Sequence, residues 1–372
     1  MKTIINALAY KQSSSGIGVM IRELFGAYIA RTTRPCTVVL TQDSPVFPSG
    51  GANIDQLRIP CTHSQNLKRI WFQTFYMGGL CRDGVLLTTD SKSPFFLPKS
   101  CTLLPLITDL AVFRMGEAYQ RSRMLWWRFQ YGYVRRRATL FLAISEFTKR
   151  DLMDLWHIPE ERIRVVPCAC PPHIHREEDP AVLSALRARY ALPERFVLFV
   201  GNSNPRKNLE RMIQAFDLAK ARGTLPHQLI IAGEQGWKFD RAAAVRGLCH
   251  TGDVRFIGFV PDEEMSALYT AAELFVFPTL YEGFGIPVLE AQTCGTPVLA
   301  SDCTALPEVG GDGALYADPY SLEDISEKLQ LLLQEEVLRE KLVRAGYENA
   351  KRYSWAASAQ RLNEIIEGDL GK

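Results

Sequence analysis

The sequence predicts an α/β protein built from two parallel-sheet domains, and three observations carry that prediction. Apolar runs of strand length, such as Phe196–Val200 and Leu274–Phe277, alternate with stretches of helical period such as Leu209–Ala221, a pattern that suits a parallel sheet with helices on both faces. Strands run into glycine turns that open helices, as where Phe277 leads to Tyr281-Glu-Gly-Phe-Gly-Ile-Pro-Val-Leu-Glu290-Ala291. The 372 residues are enough for two domains at about 150 residues each.

Composition narrows the class. The chain is 47% hydrophobic, and 43 basic against 41 acidic residues leave a net charge of +2, so there is no global electrostatic case for nucleic acid and any basic surface must be local. Met1–Leu8 has only a short apolar run before the polar Tyr10–Ser15 and reads as a first strand rather than a secretory signal. No segment reaches the roughly 20 apolar residues of a spanning helix; the uncharged stretch Ile70–Cys81 is too short. A soluble or peripheral protein is expected. Nine scattered cysteines form no disulfide framework, which suits a reducing cytoplasm.

In order, Ile4–Leu8 is the first strand. Ser13-Ser-Ser-Gly16-Ile-Gly18 then opens an amphipathic run, Val19–Ala30, with Ile21, Leu24, Phe25 and Tyr28 at helical spacing. Such a G-x-G loop serves either a phosphate or tight packing. Further strands are expected at Thr37–Leu40, Val85–Thr88 and Leu103–Ile107, with a helix-compatible stretch at Asn66–Cys81. Asp109, just past the strand ending at Ile107, either accepts a hydrogen bond from a substrate hydroxyl or caps the chain locally. Arg121–Arg137 holds six arginines and no acid, interleaved with Trp126, Trp127, Phe129, Tyr131 and Tyr133. Arg121, Arg128 and Arg135 share one helical stripe, so the segment is either a membrane-surface helix or a solvated helix packed by its aromatics. Leu140–Ile144 makes another strand, Ser145 is a natural N-cap, and Arg162–Pro167 closes the half.

Pro167–His175 and the acidic Glu177–Asp179 lose periodicity. They mark a linker at 171–194 between a first domain at 1–170 and a second at 195–352. Cys168, Cys170, His173 and His175 crowd within eight residues around Pro171-Pro172, so no metal site is expected of them. After the strand Phe196–Val200, Gly201-Asn-Ser-Asn-Pro-Arg206-Lys207-Asn208 leads into the helix Leu209–Ala221. A basic pair beyond a strand end, at a helix start, either neutralises a diphosphate or is ordinary surface charge. Gln228–Ala232, Val254–Ile257 and Val298–Ser301 supply strands, and the turns at Gly233 and at Gly258-Phe-Val260 fall on one sheet edge. Leu322–Ala350 reads as helix, and Tyr353-Ser-Trp355 starts a last helix within 353–372.

The turn after Phe277 is the centre of the second half. Gly283 and Gly285 let the backbone approach a ligand, and Pro287 near the first helical turn sacrifices no hydrogen bond. Glu282 lies in the loop and Glu290 about one turn into the helix, so the site offers donors to a phosphate and acceptors to sugar hydroxyls.

Glu282-x7-Glu290 within EGFGIPVLEA, followed by Gly295-Thr-Pro-Val298 and Leu306-Pro-Glu308-Val309, closely resembles the nucleotide-sugar donor motif of glycosyltransferase family 4. The likeness covers nearly the whole chain and is closest from 196 to 355. It implies a GT-B fold: two Rossmann-like domains facing across a cleft, the first binding acceptor and the second donor, with a C-terminal helix crossing back to the first. It also implies roles. Gly16 and Gly18 would face the donor phosphates or the acceptor, and Asp109 an acceptor hydroxyl. Arg206, Lys207 and the backbone of Gly201, Gly283, Phe284, Gly285 and Ile286 would hold the diphosphate. The turns at Gly233 and Val260 would frame the base, with Val260 either touching it or serving the hydrophobic core; Glu290 would hold the ribose and Glu282 a sugar hydroxyl. Two departures stand out: Thr108 occupies a place where many members carry histidine, and Arg206 and Lys207 are adjacent where many members space the pair.

The resemblance implies a retaining transferase, with no cofactor beyond the nucleotide-sugar donor. No Asp-x-Asp triplet is present to hold a metal between phosphates. The Asn-Pro-Arg-Lys-Asn block and the Thr-Asp segment look most like bacterial mannosyltransferases that move mannose from GDP-mannose to a lipid-linked or oligosaccharide acceptor in lipopolysaccharide, O-antigen or other surface polysaccharide synthesis. dTDP-rhamnose and UDP-sugars are the alternative donors; a sugar-nucleotide epimerase and a catalytically silent assembly partner are the rivals from other classes. The expected setting is cytoplasmic, peripheral on the inner face of the plasma membrane through Arg121–Arg137, with no nucleic-acid partner.

Overall fold

A computed structural model of the chain describes residues 2–11, 16–48, 54–89, 93–116, 121–223, 225–236 and 239–369. The chain divides into two compact units, Met1–Cys168 together with Tyr353–Lys372, and Ala169–Arg352.

The first unit is a seven-stranded sheet in the order β3-β2-β1-β4-β5-β6-β7. Its strands are β1 (Thr3–Asn6), β2 (Cys36–Thr41), β3 (Ile54–Ile59), β4 (Val85–Thr89), β5 (Thr102–Ile107), β6 (Phe141–Ala143) and β7 (Ile163–Val165), and every pairing is parallel. The central strands are buried on both faces, as Val-Ile-Leu runs require in a sheet covered by helices. Strand β3 was not expected; Ile-Asp-Gln-Leu-Arg-Ile is half-exposed at the sheet edge and lacks the apolar signature of its neighbours. Gly16 and Gly18, expected in a loop, lie in the first turn of the helix Gly16–Met20, which continues through a π-helical turn at Ile21–Phe25; residues 13–15 of that expected loop lie outside the described residues. The C-terminal helix Trp355–Glu364, capped by Ser354, belongs to this unit. Trp355, Ala359 and Leu362 are buried, Ser358 Oγ donates to the Pro167 carbonyl at 2.7 Å, and Arg34 grips Glu367 through Nε at 2.5 Å and Nη2 at 2.9 Å.

The second unit is a six-stranded parallel sheet in the order β10-β9-β8-β11-β12-β13. Here β8 is Phe196–Val200, β9 Gln228–Ala232, β10 Val254–Gly258, β11 Leu274–Phe277, β12 Val298–Ser301 and β13 Leu315–Ala317. The last is a three-residue edge strand that its sequence does not announce. The helix Leu209–Arg222 buries Leu209, Met212, Ile213, Phe216 and Ala219, the i, i+3, i+4, i+7 stripe of a helix lying on a sheet. The stretch 171–194 is not a bare linker: it holds the helix Pro180–Tyr190, with Asp179 as N-cap accepting from Ala181 N at 2.8 Å and Pro180 in the first turn. The stretch 322–350 is helical as expected, in two helices, Leu322–Gln334 and Glu336–Ala350, parted at Glu335 (φ −98°, ψ 90°). Arg339 Nη1 donates to the freed Leu332 carbonyl at 2.7 Å, which satisfies the end of the first helix without glycine or proline. Both units are Rossmann-like, and the chain has the two-sheet architecture that its sequence predicts.

Candidate donor site

In the second sheet the chain winds outward one way from β8 through β9 to β10, and the other way from β11 through β12 to β13. The turns after β8 and β11 are therefore neighbours at the switch point, where an open α/β sheet leaves a crevice beyond its strand ends. These turns carry the two parts of the expected site. After β8, Pro205–Lys207 forms one 3-10 turn and Asn208 takes a left-handed conformation (φ 58°) before the next helix. Its amide donates to the carbonyls of Pro278 at 2.9 Å and Pro319 at 2.7 Å, which ties the basic pair to the turn after β11. The backbone closes the same junction, with Leu280 N donating to Arg206 O at 2.8 Å.

The side chains converge on Glu282. Arg206 Nη1 lies 2.8 Å and Lys207 Nζ 2.7 Å from Glu282 Oε1, while Arg206 Nη1 also donates to the Tyr281 carbonyl at 3.0 Å. Glu282 is only 7% exposed and Lys207 8%. Burial by itself pushes the Glu282 carboxyl up, but Arg206 and then Lys207 outweigh it and hold the group below the usual carboxylate range. The Lys207 ammonium also sits 4.4 Å from the centroid of the Phe277 ring, a favourable seat for a partly desolvated cation. Structure thus brings an adjacent pair of cations onto a carboxylate that lies 76 and 75 positions further along the sequence.

Gly285 forms the N-cap of the helix Ile286–Thr293 at φ 103°, and a Cβ there would meet Leu306 Cδ2 at 2.4 Å. No other residue fits that turn without displacement. Glu290, on this helix, accepts from the hydroxyl of Tyr269 at 2.8 Å. Burial pushes its carboxyl to about 7, with Asp262 adding to the rise while the Tyr269 hydrogen bond and Lys207 oppose it. The two carboxylates of the motif are therefore held in opposite electrostatic conditions, one ionised by its neighbours and one poised near neutrality.

The turns after β8, β9 and β10 are stitched edge to edge by Gly201 N to Ala232 O at 2.9 Å and Gly233 N to Gly258 O at 2.7 Å. At Gly233 (φ 140°) a Cβ would stand 2.3 Å from the Gly201 carbonyl oxygen, so the close approach of these two turns requires glycine. Phe284 is buried and Ile286 begins the helix. Val260, weighed as a base contact or a core residue, packs in the hydrophobic core at 6% exposure, while its neighbour Phe259 is 54% exposed. Gly16, Gly18 and Asp109 belong to the first unit. Asp109 Oδ1 accepts from Ala111 N at 3.1 Å, the local capping role of the two weighed for it.

Sequence reasoning missed Tyr269, Asn208 and Thr304, whose hydroxyl accepts from Glu282 N at 3.3 Å. Asn208 had a signal, since asparagine tolerates the left-handed conformation that a turn before a helix demands. Tyr269 and Thr304 had none, because their partners are set by tertiary packing and not by spacing.

The chain is similar to known proteins in sequence and in fold. Residues 186–349 match the family described as glycosyl transferases group 1. The chain is 34% identical over 249 residues to the O-antigen chain mannosyltransferase B of Escherichia coli, spanning 66% of this chain and 65% of that protein. It is 32% identical over 229 residues to the serotype-specific mannosyltransferase WbdA of Escherichia coli, spanning 60% of this chain and 28% of that one. The chain thus matches less than two thirds of the length of either relative. Among solved structures, the sucrose-phosphate synthase of Thermosynechococcus elongatus aligns over 100% of both chains with a TM-score of 0.77 at 19% identity, a likeness of fold. The basic pair, the glycine turn and both glutamates all lie inside the segment, 186–349, that matches the glycosyl transferases group 1 model.

Proposed function

We propose that the protein is a retaining glycosyltransferase that moves mannose from GDP-mannose to a hydroxyl of a lipid-linked or oligosaccharide acceptor, on the cytoplasmic side, in surface polysaccharide synthesis. The observation that carries the reading is the Glu282–Arg206–Lys207 cluster beside a helix N-terminus at the sheet's switch point. A departing nucleoside diphosphate is already a stable anion, so transfer needs preorganised positive charge more than a strong general acid. Arg206, Lys207 and the backbone N–H groups from Gly283 to Gly285 supply it. Glu282 fixes both cations before the donor arrives and accepts a hydrogen bond from a sugar hydroxyl; Glu290 accepts from the ribose hydroxyls.

In this reading two fixed side-chain cations carry the diphosphate charge, and the reaction needs no metal. The incoming hydroxyl attacks the anomeric carbon on the face that the diphosphate leaves, the C–O bond to the phosphate breaks, and the hydroxyl proton passes to the departing phosphate oxygen. Mannose as the sugar is supported by the two E. coli relatives named as mannosyltransferases.

Thermal-shift binding against GDP-mannose, GDP, UDP-glucose, UDP-N-acetylglucosamine and dTDP-rhamnose tests the donor. A ligand present at 100 times its dissociation constant stabilises a fold by about 2.7 kcal/mol. Selective stabilisation by GDP and GDP-mannose is expected. Selective stabilisation by another nucleotide replaces the sugar and keeps the site, and no response to any of them overturns the donor reading.

A further inference from the structure

The first unit carries a surface that donor chemistry leaves unused. Leu67, Trp71 and Phe75 on the helical stretch 66–80 are 84%, 54% and 55% exposed; Phe96 is 65% exposed; Leu125 and Phe129 on the helix Arg121–Arg137 are 68% and 64% exposed. The rings form two clusters, Trp71, Phe75 and Phe96 in one and Phe95, Trp126 and Phe129 in the other, joined through the neighbouring residues Phe95 and Phe96. Trp71 and Phe75 lie 5.8 Å apart between ring centroids, Phe75 stacks on Phe96 at 5.5 Å, and Phe95 sits 5.3 Å from Phe129 and 6.0 Å from Trp126. Gly78 makes the junction possible, since a Cβ there would collide with the Phe96 carbonyl oxygen. A contiguous apolar surface of this kind on a soluble fold marks an interaction site.

Its charge says with what. The segments that build it, 56–82, 91–108 and 118–145, contain no Asp or Glu in a chain that has 41 of them. Lys68, Lys99, Arg128, Arg135 and Arg136 are all exposed within these segments. We infer that this composite face docks on an anionic lipid bilayer, with the rings and leucines entering the boundary between headgroups and acyl chains and the cations meeting lipid phosphates. Exposed aliphatic tips such as Leu67 gain from an acyl environment, whereas a nucleic acid offers them nothing. A second copy of the chain would bring an equally basic face against this one, and like charges oppose that contact. The helix Arg121–Arg137 is thus half of the surface; the other half comes from 66–80 and Phe96. The inference is independent of the proposed reaction and stands or falls without it.

The test is co-sedimentation of the full chain with vesicles of phosphatidylglycerol and phosphatidylethanolamine, against vesicles of phosphatidylcholine alone. Binding to the anionic vesicles at least tenfold tighter than to the neutral ones is expected, weakening as salt rises. The triple variant Phe75→Ser, Phe96→Ser, Phe129→Ser should lose at least tenfold, and Arg128→Gln, Arg135→Gln, Arg136→Gln should lose the preference for anionic lipid and most of the salt dependence. Equal binding by the parent and both variants, or no binding by the parent, overturns the inference. So does dimerisation or oligonucleotide binding through the same residues without vesicle binding. Quenching of the parent's tryptophan fluorescence by bromine-labelled acyl chains gives a readout that does not depend on any variant folding; its absence also overturns the inference.

Discussion

Glu290 offers a prediction whose size follows from its surroundings. Its carboxyl stands at about 7 in the folded chain against 4.5 for a free glutamate, a difference that corresponds to about 3 kcal/mol at about 1.4 kcal/mol per pH unit. The sign is set by which state holds the proton. Between the two values the folded chain binds the proton and the unfolded chain does not, so stability falls as pH rises from about 4.5 and levels off above about 7. Glutamine keeps the shape and the acceptor for Tyr269 but never ionises. Glu290→Gln should therefore match the parent near pH 4.5 and exceed it by about 3 kcal/mol at pH 8, a rise in melting temperature of about 6–12 °C for a unit of this size. Thermal unfolding of both proteins in matched buffers from pH 5 to 8 reads it. A gap that does not widen with pH, or a variant less stable than the parent at pH 8, refutes the account of a carboxylate held against its own burial. The same variant should bind nucleotide more weakly, because stability there is sacrificed for function.

Four further outcomes follow. Tyr269→Phe removes a donor to the charged form of Glu290, so the midpoint of the pH-dependent stability difference from Glu290→Gln should move upward. Glu282→Ala should cut transfer about 10²–10³-fold, as loss of preorganised charge does elsewhere, while Glu308→Ala, in the first turn of a short helix, costs little; equal losses in folded proteins would undo the assignment. Gly233→Ala forces a Cβ to 2.3 Å from the Gly201 oxygen at a positive φ, and should cost about 1–3 kcal/mol or more in urea unfolding. Transfer measured with excess EDTA should equal transfer without it; a loss restored by a divalent cation would overturn the metal-free mechanism.

What the sequence disclosed and what it withheld divide along physical lines. Buried parallel strands such as Phe196–Val200 are apolar on both faces and read directly, whereas Ile54–Ile59 and Leu315–Ala317 sit at sheet edges and carry mixed or very short patterns. The helix Pro180–Tyr190 was legible in its Asp179-Pro180 start, but the prolines upstream drew the whole stretch into a linker. The break at Glu335 was not legible, because a long-range arginine and not a breaker residue completes that helix end. In the site, Gly233 and Gly285 announced the turns, and Arg206, Lys207 and Glu282 each stood out singly by charge and position. Their mutual clamp did not appear, since it depends on two turns becoming neighbours through the order of strands. For Val260 the sequence left two readings open, because its place in the turn says nothing of which side faces the core.

The return of Tyr353–Lys372 to the first unit has a consequence for how the protein is made. A ribosome delivers the part of the first unit up to Cys168 long before the helix Trp355–Glu364 that packs on 21–29 has been translated, so the nascent first unit lacks that partner while all of Ala169–Arg352 emerges. The second unit, continuous in sequence, has no such delay. Vectorial synthesis therefore inverts the order that chain position suggests: the middle of the message finishes folding first, and the beginning is completed by the end.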